Sequence, residues 1–553
     1  MSSTIGSIIE EVIDKRIEKI VHCQGQAGGI KGAATADHLF LLRALMTIAI
    51  KNKQNLFVTF FDVQKAYDNA DVSNTLHIMW NSGVKGKMWR ILRELSTNLT
   101  AIVKSRFGAS REITRRNGGK QGSRLMGRQF SKQMDTLSEE FIGKNSESVK
   151  VSDNLSIGCL AWVDDIISST VGIQNQKAVL QMVDEFAQRS KLEWSAEKCQ
   201  VMQIGKKVSV PNHWKLGEKH ISNTANYKYL GDTVTNDNKN KRNLELRENR
   251  VQGTIRQINT TASSDVMRGV ETTVLITLYE KSVVAGVLHN SESWNLNKTE
   301  EQQLDKIGLR ALKRLFSLPT TTPTAAVLHN LGQLYMTQSV DQRRFMYLHK
   351  VLNRENDHWT KMMLVHLKTI ELGWAKNINE KLIQYDLERD WEIIRQKPKI
   401  EWKQMVNKAV DEVNRKKLIE CCITKTNHET KINTKTKTIY ESLASSEYKR
   451  EIPKEIIGGS KKQTKTLILA RHGMLECGTN FKGTIPELCK QCNITDNENH
   501  RLNECKNRPN VNAADITNFQ NIYSNNDVTL TEIIKSLESV WEFRYANGKM
   551  KRV

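Results

Sequence analysis

Two short acidic motifs, each at the end of an apolar, strand-like run, constrain this chain more than any other feature. Asp62 follows the run 56–61, and the pair Asp164-Asp165 follows the run 157–160 with little between. Short apolar runs bounded by polar residues predict buried β-strands. Neighbouring strands of one sheet would bring these three carboxylates together. Two divalent cations roughly 3.5–4 Å apart need such a carboxylate cluster to catalyse phosphoryl transfer, as in a polymerase palm.

The charge balance predicts a polyanionic partner. The 553 residues include 83 Lys and Arg against 61 Asp and Glu, a formal net charge of +22. Nucleic acid is the commonest partner for such a surplus, and solubility or an anionic membrane surface are the alternatives. The sequence has no secretory signal and no apolar run of transmembrane length. The 9 Cys, an odd and scattered set, favour a reducing compartment over a disulfide framework.

Helical periodicity dominates the rest of the chain. Apolar residues at helical spacing predict helices at 5–21, from Thr35 onward, and at 72–98, 127–143, 174–190, 299–316 and 338–354. The whole region 240–450 is expected to be helical almost throughout, with several basic helix faces suited either to solvent or to phosphate. The stretch 424–465, rich in Lys, Thr, Asn and Ser, is expected to be a loosely ordered connector.

One metal-binding pattern stands near the C-terminus. The spacing C-x2-C-x7-H-x4-C is formed by Cys489, Cys492, His500 and Cys505. This donor set and spacing suit a tetrahedral Zn²⁺ ion, whose binding would supply the folding energy of so small a segment. Cys477 and His472 are alternative ligands with poorer spacing, and coincidence among the cysteines is the remaining alternative.

An ordered series of motifs resembles the reverse transcriptase of a non-LTR retrotransposon. The series comprises Asp62 with Tyr67, Gly118 to Ser123, Trp162 to Asp165, Lys198, and Tyr227 to Gly231. The likeness extends over about residues 5–510, with Ser291 to Trp294 similar to the family's thumb segment and the cysteine pattern similar to its zinc knuckle.

The resemblance implies a role for each matched residue. Asp62, Asp164 and Asp165 are implied to coordinate two Mg²⁺ ions, and Lys198 to act as the general acid for the leaving pyrophosphate. The Tyr67 ring is implied to exclude the 2′-hydroxyl of a ribonucleotide. Gln121 and Gly122 are implied to contact template and nucleotide.

Four positions depart from the family pattern. Gly28-Gly29-Ile30 stands where the family has Gly-Phe-Arg, so that Lys31 is the nearest cation for the triphosphate, without the bidentate fork of Arg. Arg124-Leu125-Met126 replaces Leu-Ser-Pro, Trp162 replaces Tyr or Phe, and Ser195 replaces Asn. The resemblance also leads us to expect that part of the fingers preceding residue 1 is missing.

The expected fold is α+β, a right-hand polymerase with fingers, an antiparallel palm sheet, a helical thumb and a helical C-terminal region ending in a zinc knuckle. The expected divisions are fingers and palm at 1–235, thumb at 236–355, basic helical connector at 356–470, zinc knuckle at 471–510 and tail at 511–553.

The expected activity is RNA-directed DNA polymerisation with Mg²⁺ and Zn²⁺ as cofactors. Its partners would be an RNA template, a DNA primer or target and dNTPs, together with a separate endonuclease and no membrane. A nuclear location follows from that role, with a cytoplasmic ribonucleoprotein as the alternative. Two rival interpretations remain, namely a remnant that binds nucleic acid without polymerising and an intron-encoded maturase.

Overall fold

The structure is a computed structural model of the chain, in which two compact units are distinguished. The residues that it describes are 4–21, 26–28, 32–97, 99–114, 118–119, 122–143, 148–262, 270–426, 429–432, 436–445, 450–452, 456–457, 459–471 and 493–495. The first unit comprises Met1–Asn243, Asn290–Asn295 and Lys350–Glu380, and the second comprises Leu244–His289, Leu296–His349 and Lys381–Val553.

Helices account for most of the regular structure. They are α1 (Thr4–Ile17), α2 (Thr35–Lys51), α3 (Ala66–Asn69), α4 (Val72–Asn81), α5 (Gly86–Ser96), α6 (Arg124–Gly143), α7 (Ile173–Ser190), α8 (Lys241–Ala262), α9 (Thr272–Leu278), α10 (Ala285–Val287), α11 (Lys298–Leu315), α12 (Thr324–Asn330), α13 (Met336–Leu352), α14 (Trp359–Thr369), α15 (Gly373–Gln384), α16 (Trp391–Gln396), α17 (Lys399–Cys422), α18 (Lys437–Ala444) and α19 (Lys461–Arg471). A π-helical turn, Tyr279–Val284, joins α9 to α10.

Sixteen strands complete the regular structure of the described residues. They are β1 (Asn55–Phe61), β2 (Thr100–Ala101), β3 (Lys104–Ser105), β4 (Gly108–Ala109), β5 (Ile113–Thr114), β6 (Val149–Ser152), β7 (Leu155–Ile157), β8 (Cys159–Trp162), β9 (Asp165–Val171), β10 (Gln200–Gly205), β11 (His213–Leu216), β12 (Lys219–Thr224), β13 (Asn226–Tyr229), β14 (Asp232–Thr235), β15 (Ile423–Thr426) and β16 (Glu429–Ile432).

The first unit is organised around a six-stranded sheet in the order β11-β12-β10-β1-β9-β8. Strand β1 lies in the middle and pairs antiparallel with both β9 and β10. Only the β10–β12 pair is parallel. Because β1 is covered on both faces, all its residues from Leu56 to Phe61 are buried, and all but Thr59 are apolar. The predicted α+β fold with an antiparallel palm sheet is therefore confirmed.

Two long helices cover one face of this sheet. Helix α6 contributes Met126, Phe130, Met134, Leu137 and Phe141, all buried and spaced three or four residues apart. Helix α7 contributes a second buried face, and Phe57 and Phe61 of β1 belong to the same apolar cluster. Helix α2 lies against β1 and β10. These contacts fix β1 within the core and so determine where the strand ends.

The second unit is mainly helical. On α11 the predicted apolar stripe of Leu304, Ile307, Ala311 and Leu315 is buried. Exposed cations such as Lys306 and Arg310 lie on other sides of the helix. Helix α17 packs against α12 and α18. The predicted helical region is thus confirmed, apart from the hairpin of β15 and β16.

Two local predictions are wrong. The described residues of the stretch 424–465 do not form a loosely ordered connector, since they include most of a β-hairpin, helix α18 and the start of α19. The strand predicted at 157–160 is two strands, because β7 pairs with β6 while β8 pairs with β9. The chain changes partner at Gly158, where an added Cβ would lie 2.4 Å from the Ser148 hydroxyl oxygen.

The five predicted divisions of the chain stay predictions, as does the zinc knuckle, whose four ligands lie outside the described residues. None of the helices in the described part of the chain is both long and apolar enough to cross a bilayer.

Candidate active site

The three aspartates lie at the same end of two neighbouring strands. The last paired residues of β1 and β9 are Phe61 and Ile166, and the next positions along the two strands are Asp62 and Asp165. Asp164 lies in the two-residue turn of the β8–β9 hairpin, which Trp162 and Asp165 close. Antiparallel pairing thus brings together carboxylates that are about a hundred residues apart in the sequence.

The carboxylates disfavour one another's charged forms. Burial raises the pKa of Asp164, and the Asp62 carboxylate raises it further. Asp165 is exposed as a residue, but the protein atoms around its carboxyl raise its pKa to about 6, with further contributions from Asp164 and then Asp62. Concentrated negative charge of this kind is relieved by a cation.

Lys198 supplies one cation. Its ammonium nitrogen lies 3.0 Å from Asp62 Oδ2 and 3.3 Å from Asp62 Oδ1, and this hydrogen-bonded ion pair raises the pKa of Lys198. A turn before β10 positions the lysine, because the Lys198 and Cys199 amides both donate to the Ser195 carbonyl. The Ser195 amide in turn donates to the Asp62 carbonyl at 2.9 Å. The backbone of Ser195 therefore links the two functional side chains.

The donor set suits hard divalent cations. Carboxylate oxygens are the ligands that Mg²⁺ takes from proteins, usually one or two carboxylates together with water and substrate phosphates. In the described residues, however, no three His, Cys, Asp or Glu side chains are grouped so as to hold a metal ion. The Asp62 carboxylate is bound instead to Lys198. Asp62, Asp164 and Asp165 would have to draw closer around an ion.

Tyr67 lies beside the aspartates. It is half-buried on the short helix α3, with its ring centroid 5.7 Å from that of Phe130 on α6. Burial raises the pKa of the Tyr67 hydroxyl, and the Asp164 charge adds to the effect. The ring therefore packs against α6, with its hydroxyl within the electrostatic influence of Asp164.

A glycine pair joins the loop before α6 to the segment after Asp62. The Gly119 amide donates to the Tyr67 carbonyl at 2.8 Å, and the Gly118 amide donates to the Ala70 carbonyl. Gly118 has φ +80°, and an added Cβ there would lie 2.3 Å from the Asp68 carbonyl oxygen. Only glycine permits this approach. Gly122 follows with φ +86° and open space around it.

The hairpin of β13 and β14 borders the other side of the aspartates. Tyr227 stacks on Phe60 of β1, with ring centroids 4.0 Å apart and planes 12° from parallel. Tyr229 is buried, and its hydroxyl lies 3.3 Å from Nδ1 of His38 on α2. The Lys228 charge slightly opposes the rise in the pKa of Asp165. Aromatic packing on β1 therefore fixes this hairpin next to the carboxylates.

A protein-family comparison covers the part of the chain that contains this site. The family model described as "Reverse transcriptase (RNA-dependent DNA polymerase)" matches residues 1–234. Residues 1–234 form a reverse transcriptase domain. The match supports the predicted enzyme class, an RNA-directed DNA polymerase. Domains of this family generally use two divalent metal ions. No curated protein sequence is significantly similar to the chain.

Several solved telomerase structures resemble the chain weakly. Telomerase from Candida albicans, in complex with a fragment of telomeric RNA, has 11% identity and a TM-score of 0.34, covering 72% of this chain and 56% of its own. The corresponding complex from Candida tropicalis has 16% identity and a TM-score of 0.33, covering 73% and 57%. Apo telomerase from Candida tropicalis has 14% identity and a TM-score of 0.32, covering 72% and 60%. The chain thus spans just over half the length of these structures.

The reverse transcriptase domain brings together most of the residues singled out in the sequence. Asp62, Asp164, Asp165, Lys198 and Tyr67 surround one site. Their catalytic and binding roles stay predictions. Lys31 and Gln121, expected to bind nucleotide and template, lie outside the described residues.

Sequence reasoning missed two buried residues of the reverse transcriptase domain. No sequence pattern singles out Gln26, yet its side chain binds the backbone of the Asp164 turn. His38 was seen only as part of an amphipathic helix, yet it contacts Tyr229 and the Trp162 ring. A buried amide or imidazole between polar neighbours gives no periodic signal. The one hint in the sequence is that Gln26 stands two residues before the Gly28-Gly29 pair.

Proposed function

We propose that this protein is the RNA-directed DNA polymerase of a non-LTR retrotransposon, transferring dNTPs onto the 3′-hydroxyl of a primer. The single observation that carries the proposal is the convergence of Asp62, Asp164 and Asp165 at one end of β1 and β9, with Lys198 bound to Asp62. The family match over residues 1–234 supports the reaction type. The ordered motif series supports the type of element.

Each residue of the site would have a distinct task. Asp62, Asp164 and Asp165 would hold Mg²⁺ through their carboxylate oxygens. Divalent ions, when bound, supply charge neutralisation for the attacking and leaving oxygens. Lys198, whose pKa the neighbouring Asp62 raises, would give a proton to the leaving pyrophosphate. Tyr67 would stand below the incoming sugar and exclude a 2′-hydroxyl by bulk.

Nucleic acid as partner is supported by the charge of +22 and by one exposed surface of the first unit. The paired strands β2, β5, β3 and β4 project Lys104, Arg106 and Arg111 into solvent. Phe107 at the tip is 86% exposed, with the Arg106 guanidinium 4.7 Å from its ring centroid. Exposed aromatic rings between cations suit stacking on unpaired bases. In the second unit, exposed cations on α11 suit sequence-independent phosphate contacts.

The finer features of the proposal concern the type of element. A non-LTR element needs a nick in its target as primer, so we propose that a separate endonuclease activity assists this chain. The cysteine and histidine pattern at 489–505 would bind Zn²⁺ and grip single-stranded RNA or target DNA. Such a role implies a nuclear location, with a cytoplasmic ribonucleoprotein as the alternative.

Primer extension tests the reaction. Purified protein is given poly(A) template, oligo(dT) primer, labelled dTTP and Mg²⁺, and incorporation is followed over time. Asp164→Asn is expected to lower incorporation by about 100-fold or more. Asp153→Asn, which neutralises a side chain that is 94% exposed in the β6–β7 turn, is the matched control and is expected to retain activity.

The same experiment distinguishes the rival function. Tight template binding without incorporation by the wild-type protein identifies a non-catalytic remnant and overturns the polymerase. The lack of a preformed three-ligand metal group among the described residues is the observation that favours this rival. Binding is therefore measured on the same preparation by fluorescence anisotropy with labelled primer–template.

A further inference from the structure

The turn that carries Asp164 contains an unfavourable backbone conformation. Val163, the first residue of the two-residue turn between β8 and β9, has φ +57°. Hairpin turns of two residues usually place glycine where φ is positive. For a β-branched residue a positive φ is a true outlier that costs about 1–3 kcal/mol. Something else in the domain must therefore hold Val163 in place.

One side chain binds both polar backbone groups of Val163. The Gln26 amide oxygen Oε1 accepts from the Val163 N–H at 2.7 Å, and the Gln26 Nε2 donates to the Val163 carbonyl at 3.1 Å. Oε1 also accepts from the Gly28 N–H at 2.9 Å. Gln26 is only 2% exposed, so water does not compete for these bonds. The carboxamide thus binds both the N–H and the carbonyl of Val163, as the backbone of a neighbouring strand would.

The backbone around Gln26 is itself held by hydrogen bonds. Its backbone N–H donates to Asp135 Oδ1 at 3.1 Å, and Asp135 is buried on α6 with its other oxygen 2.8 Å from Lys132 Nζ. The next amide, that of Ala27, donates to the Ala161 carbonyl on β8. A chain of short contacts thus runs from α6 through Gln26 to the turn.

Gly28 makes this arrangement possible. A Cβ at Gly28 would lie 2.5 Å from Val163 Cγ2 and 2.6 Å from the Val163 backbone nitrogen. The backbone nitrogen cannot move far, because the paired strands β8 and β9 hold both ends of this turn. Glycine at this position lets the segment of Gln26 lie directly against the turn.

We propose that Gln26 is a positioning residue for the catalytic carboxylates, fixing the Val163 conformation and thereby the direction of Asp164 and Asp165. The proposal rests on the proposed function for its catalytic consequence, but not for its structural one. The alternative is that Gln26 is a buried, hydrogen-bonded amide that only stabilises the fold. The two differ in one respect: only the positioning role depends on the backbone strain of Val163.

A rescue experiment separates these roles. Gln26→Met keeps the length of the side chain and removes its hydrogen bonds. It is expected to lower kcat by about 10- to 100-fold with little change in primer–template binding, because misplaced catalytic groups affect chemistry more than binding. Adding Val163→Gly removes the cost of the positive φ. The double variant is expected to have a kcat about tenfold or more above that of Gln26→Met.

Gln176→Met is the matched control. Gln176 is also a fully buried glutamine, hydrogen-bonded to Thr59 on β1 and Thr170 on β9, but it does not touch the turn. Its replacement should lower stability, and Val163→Gly should not correct the defect. If Gln26→Met does not fold, Gln26→Glu is compared with and without Val163→Gly in the same way.

Hydrogen exchange provides a readout that needs no activity. Loss of the Gln26 acceptor is expected to speed exchange of the Val163 amide by about tenfold, while amides in the middle of β1 stay protected. Unchanged exchange at Val163, or no rescue by Val163→Gly, overturns the positioning role. A wild-type protein that incorporates no nucleotide overturns the proposed function instead, and the exchange result still decides the role of Gln26.

Discussion

The ammonium group of Lys198 lies 3.0 Å from the carboxylate of Asp62, the residue expected to bind metal. A lysine and a divalent ion would compete for the same oxygen atoms. The lysine side chain is 65% exposed, and ion pairs of this kind contribute about 0–1 kcal/mol, so the competition is expected to be modest.

Lys198→Gln is therefore expected to tighten Mn²⁺ binding by up to about fivefold, while lowering polymerisation because the proton donor is lost. Mn²⁺ binding is measured by electron paramagnetic resonance without substrates. Lys177→Gln makes the same charge change at an exposed position on α7 and should leave Mn²⁺ affinity unaltered. Weaker Mn²⁺ binding in Lys198→Gln would show that the lysine does not compete.

A methyl group at Gly28 is expected to destabilise the fold by about 1–3 kcal/mol, since a buried backbone must shift to admit it. Urea unfolding of Gly28→Ala measures the loss. Gly253→Ala is the control, because its Cβ on α8 would meet no atom within 4 Å. That substitution is expected to stabilise the protein by about 0.5–1 kcal/mol. Equal effects at both positions would argue against the close approach of Gly28 to Val163.

Removing the Tyr67 ring is expected to relax sugar selection. Tyr67→Ala should raise the efficiency of rNTP use relative to dNTP use by about tenfold or more, measured as the ratio of kcat/KM values. Tyr67→Phe retains the ring against Phe130 and should keep the wild-type ratio. Unchanged rNTP rejection in Tyr67→Ala would remove this residue from the selection of the sugar.

The buried His38 predicts a pH-dependent stability. Burial lowers its pKa from 6.5 to about 4 in the folded protein, so the unfolded chain binds more protons between those values. The free energy of unfolding should therefore fall as the pH is lowered through this window. The His38 contribution to that fall is about 2 kcal/mol between about pH 7.5 and pH 5.

Urea unfolding at several pH values measures this dependence. His38→Gln, which can retain a hydrogen bond to Tyr229, should lose that part of the pH dependence. His77→Gln, at an exposed position on α4, should keep it. Parallel pH profiles for wild type and His38→Gln would mean that His38 does not titrate in this way.

The cysteine pattern gives a prediction about metal content. Cys489→Ser is expected to lose zinc, measured by inductively coupled plasma mass spectrometry, and to bind nucleic acid more weakly. Extension of a homopolymer should remain largely intact. Cys477→Ser is the control and should keep zinc, whereas full zinc in Cys489→Ser would show that the ligands are misassigned.

Sequence patterns predicted the helices and strands whose apolar residues recur at regular spacing. The mainly apolar run ending at Phe61 predicted a buried strand, and the acidic residue after it predicted a carboxylate site. The buried stripe of α11 followed from spacing alone. The spacing of apolar residues shows which face of a single helix or strand is buried. It therefore predicted helices and strands, but not the contacts between them.

The contacts that apolar spacing could not predict join distant parts of the chain. Gln26 binds a residue 137 positions away, and His38 lies 191 positions from Tyr229. Whether an amide or imidazole is buried beside a turn depends on tertiary packing, which a single sequence does not encode by spacing. The hairpin of β15 and β16 was missed for a related reason, since its polar composition resembles that of a loop.

The discontinuous make-up of the first unit limits how the catalytic region can be isolated. Asp232, buried against Arg43, also accepts a hydrogen bond from the Trp294 indole, and Asn290 donates to the Leu230 carbonyl. Further along, Arg354 is paired with Asp37. A polypeptide excised at residue 234, where the family match ends, would lose these three partners. An autonomous catalytic fragment therefore has to carry the chain through Glu380, the last residue of this unit.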